Sequence, residues 1–136
     1  MDESIHKAPV LKQKTPRGVL TYANTGHPHA FLVPAKGEPR RLSAEGPPLG
    51  LSDEVPGAES VVWQKGKDLL VLFTDGIVDT RDPAGTRIGE AAILDLVKKN
   101  LRKEPAEIVK SVFDLLEEYS DGIASPDDLT MLVLRT

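Results

Sequence analysis

Cysteine is absent from this chain of 136 residues. Disulfide bonds and thiolate metal sites are therefore excluded, and the absence fits a cytoplasmic protein, since disulfides are rare in the cytosol. Long apolar runs are also absent: the longest dense one, Leu69 to Phe73, has the length of a strand, whereas a membrane-spanning helix needs about 20 apolar residues. Residues 1–7 carry charges where a signal peptide needs an apolar stretch, so we expect neither export nor a membrane partner.

An excess of positive charge is lacking as well, because the formal net charge is −4. A nucleic-acid-binding domain needs a basic face, so we expect no nucleic-acid partner. The basic side chains that do cluster lie near the start of the chain, at Lys7, Lys12, Lys14 and Arg17. Two interpretations of this cluster stay open: a solvated tail, or a docking arm for an acidic partner.

The chain begins with a segment that has no periodicity and then changes character. Residues 1–17 contain two prolines and predict a flexible or extended lead-in, so that the domain proper covers residues 18–136. Two short apolar segments then flank the turn-forming residues 25–28. This pattern predicts a β-hairpin over residues 18–33.

The remaining pattern predicts strands, then a pair of helices, then a last strand. Glycine and proline dominate residues 34–57, which predicts a loop with a short strand at 40–42. Apolar stripes at helical spacing, and a proline suited to a first helical turn, indicate the two helices. The predicted strands are 58–64, 69–73 and 129–134, and the predicted helices are 88–101 and 105–119, the second ended by Gly122. This order favours an α+β fold with antiparallel pairing.

Acidic residues adjoin two of the predicted strands. Asp75 comes soon after the strand at 69–73, and Asp127 and Asp128 come just before the last strand. If these strands are neighbours, the carboxylates converge at one end of the sheet, where a hard cation with oxygen ligands relieves their repulsion. The alternative for Asp75 is a turn residue that only solvates the end of its strand, since turn chemistry alone favours aspartate there.

The stretch around Asp75 also has a superficial likeness to the nucleophile loop of haloacid-dehalogenase-type phosphatases. In that chemistry an aspartate two positions before the Asp-Gly pair attacks phosphorus and forms a covalent intermediate. Phe73 occupies this position here, and a phenyl ring cannot act as a nucleophile. The covalent mechanism is therefore excluded, because its nucleophilic aspartate is missing.

Four segments taken in order resemble a different family. They are Tyr22-Ala23-Asn24-Thr25-Gly26-His27-Pro28, Gly46-Pro47-Pro48-Leu49-Gly50-Leu51, Leu70-Val71-Leu72-Phe73-Thr74-Asp75-Gly76 and Asp127-Asp128-Leu129-Thr130. Together they are similar to the PPM family of metal-dependent protein phosphatases, in its bacterial SpoIIE-type branch, over about residues 18–135. The resemblance implies a four-layer sandwich, two antiparallel sheets with helix pairs outside, of which this chain carries the C-terminal part. It also implies two Mn²⁺ or Mg²⁺ ions that activate a water for attack on phosphoserine or phosphothreonine, without a phosphoenzyme.

The resemblance also assigns roles to individual positions. Asp75 and Asp127 match two metal-binding aspartates of the family, and Asp79 is similar to an acid that some members use for a weaker metal. The supporting positions are Gly76, Asp128, Asn24 and Gly26, the last two in a structural turn where the Asn24 amide bonds backbone. His27 lies in the same turn, as a structural residue or, alternatively, as a ligand or proton donor.

One family motif has no counterpart here. The family carries its first metal-binding aspartates in a Gly-Asp-x-x-Asp-like stretch, and nothing in residues 1–17 resembles it. We therefore expect a protein serine/threonine phosphatase that is incomplete as this chain, inactive alone and a weak binder of Mn²⁺ or Mg²⁺. The implied substrate is a phosphorylated regulatory protein. The alternative is a non-catalytic binding or oligomerisation module derived from the same fold.

The missing motif and its strands also bear on whether copies of the chain associate. Without further strands, apolar side chains of the predicted sheets would lack part of their cover, among them Val19, Phe31, Leu70 and Leu72. Unpaired strand edges would add a template for association. We therefore predict a homo-oligomer joined through a sheet face or edge, with a monomer closed by residues 1–17 as the competing outcome.

Overall fold

The computed structural model of the protein describes residues 17–22, 24, 27–43 and 59–135. The lead-in up to residue 16, the Gly-Pro-Pro-Leu-Gly-Leu segment and Gly26 lie outside the described residues. The strands are β1 (Arg17–Tyr22), β2 (Ala30–Val33), β3 (Arg40–Arg41), β4 (Glu59–Gln64), β5 (Leu69–Phe73) and β6 (Met131–Arg135). The helices are α1 (Asp75–Val78), α2 (Glu90–Lys99) and α3 (Pro105–Tyr119). None of the helices in these ranges has the length and apolarity that crossing a bilayer requires.

The main sheet has four antiparallel strands in the order β3-β2-β5-β6. β5 lies in its interior, where Val71 is opposite Phe31 of β2 and opposite Val133 of β6. Side chains alternate between the two faces of β5, so that Leu69, Val71 and Phe73 are buried on one face. These side chains share a core with the apolar stripes of α2 and α3, formed by Ile93, Val97, Ile108, Val112 and Leu116.

A separate two-stranded antiparallel sheet, β1 with β4, covers part of the opposite face. Val61 and Trp63 of β4 are buried there together with Ala30 and Leu32 of β2. The described residues therefore form three layers: the helix pair, the four-stranded sheet and the two-stranded sheet. This arrangement confirms the predicted α+β class with antiparallel pairing.

The predicted hairpin over residues 18–33 is wrong. β1 pairs with β4, with Val19 opposite Val62, whereas β2 pairs with β3 and β5 in the other sheet. All four side chains of β2 are buried, so this strand needs cover on both faces and a neighbour along each edge. Turn residues indicate that the chain reverses, but packing decides which sheet each strand joins.

The two long helices lie where the periodicity predicts them. α2 is two residues shorter at each end than predicted, and α3 begins at Pro105 as predicted. Past the end of α3, Asp121 and Gly122 have positive φ angles of 55° and 76°, and the Gly122 N–H donates to the Glu117 carbonyl at 3.0 Å. The one-turn helix α1 was not predicted, and it begins at a candidate metal-binding acid, Asp75.

Candidate functional site

The end of β5 lies beside the beginning of β6. The two strands pair as far as Phe73 opposite Met131. Beyond that pair the Thr74 N–H donates to the Thr130 carbonyl at 3.1 Å, and the Thr130 N–H donates to the Thr74 hydroxyl at 3.2 Å. The loop before β6 therefore runs past the start of α1, which is the condition for the candidate acids to converge.

Gly76 marks a close approach between α1 and this loop. A Cβ atom added to Gly76 would lie 2.4 Å from the carbonyl oxygen of Asp128 and 3.2 Å from the Cβ atom of Asp127. The first distance is far inside van der Waals contact, so only a residue without Cβ allows the two backbone segments to pack this closely. The contact places Asp75 and Asp127 at the same end of the main sheet.

The candidate acids at this sheet end face solvent. The Asp75 side chain is 71% exposed, and Asp127 and Asp128 are exposed as well. Within the described ranges, neither Asp127 nor Asp128 belongs to an ion pair. Such carboxylates suit Mg²⁺ or Mn²⁺ in kind, since both are oxygen-seeking cations. The donors fall short in number, because no three Asp, Glu, His or Cys residues of the described part of the chain form a group that could hold a metal.

Asp79 lies one helical turn after Asp75. The Asp79 N–H donates to the Asp75 carbonyl at 2.8 Å, so both acids belong to the same short segment of backbone. The Asp79 carboxylate lies 3.6 Å from the Arg87 guanidinium. The weaker role in metal binding that the resemblance implies for Asp79 stays a prediction.

A cleft of about 730 Å³ adjoins the candidate acids, and both Asp79 and Asp127 line it. Its lining combines apolar side chains of α3 and the following loops with four acidic residues and one basic residue. The apolar residues include Phe113, Leu116 and Leu129. The cleft therefore offers both apolar contact and negative charge next to the sheet end.

The turn around Asn24 is held by that residue's side chain. The Asn24 amide donates to the carbonyls of His27 and Leu42, each at 2.8 Å, and its oxygen accepts the His27 N–H at 2.8 Å. Asn24 is buried, so these bonds tie the start of β2 to the end of β3. The His27 Nε2 atom is buried without a hydrogen-bond partner among the described residues.

The sequence reasoning missed His29. The His29 Nε2 atom lies 2.6 Å from Asp75 Oδ1, and the Nδ1 atom lies 2.6 Å from Glu90 Oε2. The imidazole stacks on the Phe73 ring, with centroids 5.2 Å apart and an interplanar angle of 9°. A signal was present in the sequence, because His29 directly precedes a strand that can pair with the strand leading to Asp75.

Glu90, at the start of α2, is the second partner of His29. Arg41 reaches Glu90 with both terminal nitrogens: Nη1 donates to Oε2 at 3.1 Å and Nη2 pairs with Oε1. Burial alone would raise the pKa of Glu90, but the hydrogen bonds and charges of Arg41 and His29 outweigh burial and hold that pKa below its ordinary value. Arg41 also lies over the Phe31 ring, 4.6 Å from its centroid.

Solved structures share this fold. The SiaA-PP2C domain of Pseudomonas aeruginosa has a TM-score of 0.69 at 20% sequence identity, over 87% of this chain and 46% of that chain. The structure of the RsbU and RsbW domains of Rv1364c from Mycobacterium tuberculosis has a TM-score of 0.65 at 24% identity, over 90% of this chain and 34% of that one. These likenesses concern the fold, and they confirm that the described layers are part of a phosphatase-type sandwich.

The sequence model of the Stage II sporulation protein E (SpoIIE) family matches residues 8–136. The chain therefore belongs to the SpoIIE family, which confirms the resemblance identified from its motifs. Phosphoserine phosphatase RsbU of Bacillus subtilis (strain 168) is 29% identical over 117 residues, 85% of this chain and 34% of that protein. Protein IcfG of Synechocystis sp. is 26% identical over 117 residues, 86% of this chain and 18% of that protein. The chain thus spans about a third or less of these relatives.

Proposed function

We propose that this chain supplies one part of the active site of a metal-dependent phosphoserine phosphatase. The contact of Gly76 with the backbone of Asp127 and Asp128 carries the proposal, because it brings Asp75 and Asp127 to one sheet end. Membership of the SpoIIE family supports the same reaction, as does the name of the relative RsbU, a phosphoserine phosphatase.

Asp75 and Asp127 are the residues that would hold the metal, with Asp79 as a weaker contact. When bound there, Mn²⁺ or Mg²⁺ supplies the Lewis acidity that activates water and offsets negative charge on the phosphate. The contribution of the protein is to hold the two carboxylates at the sheet end and to leave them open to solvent. The adjoining cleft gives a segment of a phosphoprotein room beside Asp79 and Asp127.

The number of acids sets a limit on what the chain does alone. Mg²⁺ needs near-octahedral oxygen coordination, and two carboxylates leave most of that shell to water. A two-metal mechanism also needs ligands that fix both ions about the attacking and leaving oxygens. We therefore propose that the 136-residue chain binds Mn²⁺ or Mg²⁺ weakly and has no meaningful phosphatase activity by itself.

The substrate that fits this proposal is a phosphorylated regulatory protein that presents phosphoserine on an accessible segment. The open sheet end supports a macromolecular substrate, because Asp75 and Asp127 face solvent where a segment of another protein can reach them. The cytoplasmic location predicted from the sequence stays a prediction.

A second candidate, a binding or oligomerisation module, is favoured by one surface. β6 is the outer strand of the main sheet in the described part of the chain, and its Leu132 and Leu134 are 53% and 44% exposed. They lie opposite Leu72 and Leu70, on the face away from the helices. An apolar face on an outer strand is suited to association, so we propose a homo-oligomer joined through this face or edge.

Titration calorimetry with Mn²⁺ separates the two candidates. The partial metal site predicts weak binding that is lost in Asp75→Asn and in Asp127→Asn, but kept in Asp114→Asn, a matched change at an exposed acid of α3. Absence of Mn²⁺ binding would favour the non-catalytic module. A phosphoserine peptide assay adds the test of completeness: we expect no turnover with Mn²⁺, and robust turnover that Asp75→Ala abolishes would contradict the proposed incompleteness.

A further inference from the structure

The backbone of His29 and the plane of its ring are held independently of its ring nitrogens. Its carbonyl accepts the Phe73 N–H at 3.0 Å, which attaches its backbone to the end of β5. Its ring lies nearly parallel to the Phe73 ring, and only 13% of its side chain is exposed. The stacking sets the plane of the imidazole, which has one edge toward Asp75 and the other toward Glu90 of α2.

Both edges of the ring are engaged by carboxylates. In this arrangement Nε2 is hydrogen-bonded to Asp75 and Nδ1 is hydrogen-bonded to Glu90. The first of these bonds restricts an Asp75 side chain that is otherwise 71% exposed and would be free to rotate. The second bond fixes the ring itself, because Glu90 is held by Arg41 through both carboxylate oxygens.

The chain of contacts runs across three separate elements. Asp75 begins α1, His29 immediately precedes β2, and Glu90 begins α2. Residues that orient a metal-binding carboxylate affect the metal without touching it, and loss of such a partner typically lowers metal affinity by about 10- to 100-fold. His29 therefore stands toward Asp75 as such a partner.

We propose that His29 is a positioning residue for the carboxylate of Asp75, and that Glu90 and Arg41 act on Asp75 through it. The consequence for metal binding rests on the proposed function of Asp75, but the coupling between the side chains does not. The coupling can therefore be tested without metal, and its effect on the metal can be tested separately.

The metal-free test uses the carboxyl ¹³C resonance of Asp75 in the full chain. Glu90→Gln leaves Asp75 untouched, yet we expect it to shift that resonance, because it weakens the anchor of the His29 ring. His29→Phe keeps a ring that can stack on Phe73 but removes both ring nitrogens, so Glu90→Gln should produce no further shift in the His29→Phe background. Glu38→Gln is the matched control, since Glu38 pairs with Lys98 of α2 at 2.7 Å and is 86% exposed.

The metal test measures Mn²⁺ affinity of the same variants. We expect His29→Phe to lower the affinity by about 10- to 100-fold, Glu90→Gln to lower it less, and Glu38→Gln to leave it unchanged. Circular dichroism of each variant establishes that the fold is kept. Should His29→Phe fail to fold, an Asp75 resonance that does not respond to Glu90→Gln would still overturn the positioning role.

The outcomes distinguish this inference from the proposed function. An Asp75 resonance that does not respond to Glu90→Gln, or that responds equally in the His29→Phe background, would overturn the positioning role. If the resonance responds as expected while Mn²⁺ binding is absent or insensitive to Asp75→Asn, the positioning role stands and the metal assignment fails. If Asp75→Asn abolishes Mn²⁺ binding while His29→Phe does not change it, the metal assignment stands and the positioning role toward the metal fails.

Discussion

The two faces of the main sheet are covered to different degrees. On the face toward the helices, the β5 side chains Leu69, Val71 and Phe73 are at most 1% exposed. On the opposite face, the two-stranded sheet covers Ala30 and Leu32 of β2 but leaves Leu132 and Leu134 of β6 about half exposed. Phe31, which the sequence predicted to lack cover, lies on the helix face and is only 3% exposed.

The two faces therefore contribute differently: the helix face stabilises the fold, and the opposite face is open to contact with other molecules. The helix face contains the larger buried cluster, so it supplies most of the apolar burial that stabilises the fold. The opposite face and the exposed sheet end at Asp75 and Asp127 are the parts of the described chain that remain available to a partner, a substrate or a metal. Substitutions on the two faces should therefore have different kinds of effect.

The largest effect is expected on the helix face. Ile108 is fully buried, so Ile108→Ala should lower the free energy of unfolding by about 2–5 kcal/mol through lost burial and the cavity left behind. Leu134→Ala on the opposite face should change it by about 0.5 kcal/mol or less, because that side chain is already about half exposed. Urea denaturation monitored by circular dichroism measures both. Equal losses would contradict the difference between the faces and would indicate that Leu134 is covered in solution.

The next effect is expected at the sheet end. Gly76→Ala places a Cβ atom within 2.4 Å of the Asp128 carbonyl oxygen, so the loop or α1 must shift. Overpacking of this kind costs about 1–3 kcal/mol, and here it should also weaken Mn²⁺ binding, because it separates Asp75 from Asp127. Denaturation and calorimetry on the same sample check the two parts. Unchanged stability together with unchanged Mn²⁺ affinity would show that this contact is not needed.

The sequence predicted the elements better than their pairing. Periodicity located α2, α3 and the strands, because a stripe of apolar side chains is a local property of each segment. Periodicity could not locate α1, which is a single turn. The turn residues between β1 and β2 led to their predicted pairing, because such residues indicate that the chain reverses but not which sheet each strand joins. The convergence of Asp75 and Asp127 was predicted on the condition that their two strands are neighbours, as β5 and β6 are. His29 was not, since its partners Asp75 and Glu90 are 46 and 61 positions away in sequence.

A smaller effect, on assembly and not on folding, is expected at the outer face. If Leu132 and Leu134 join copies of the chain, replacing both with serine should lower the molar mass measured by light scattering toward that of a monomer. The circular dichroism spectrum should stay unchanged. Ile123→Ser is the matched control, because Ile123 is 62% exposed in a loop outside the sheet. A wild-type chain that is monomeric and folded at low micromolar concentration would refute the oligomer.

We propose that Asp75 and Asp127 belong to one metal site, and paramagnetic broadening by Mn²⁺ reports on both residues in one experiment. Broadening of amide signals falls steeply with distance from the ion, so a ¹⁵N-labelled chain reports where the ion sits. We expect the signals of Gly76 and Asp128 to broaden together at the lowest Mn²⁺ concentration. This broadening should be lost in both Asp75→Asn and Asp127→Asn but kept in Asp114→Asn. Broadening centred elsewhere, or unchanged by the first two substitutions, would contradict this proposal.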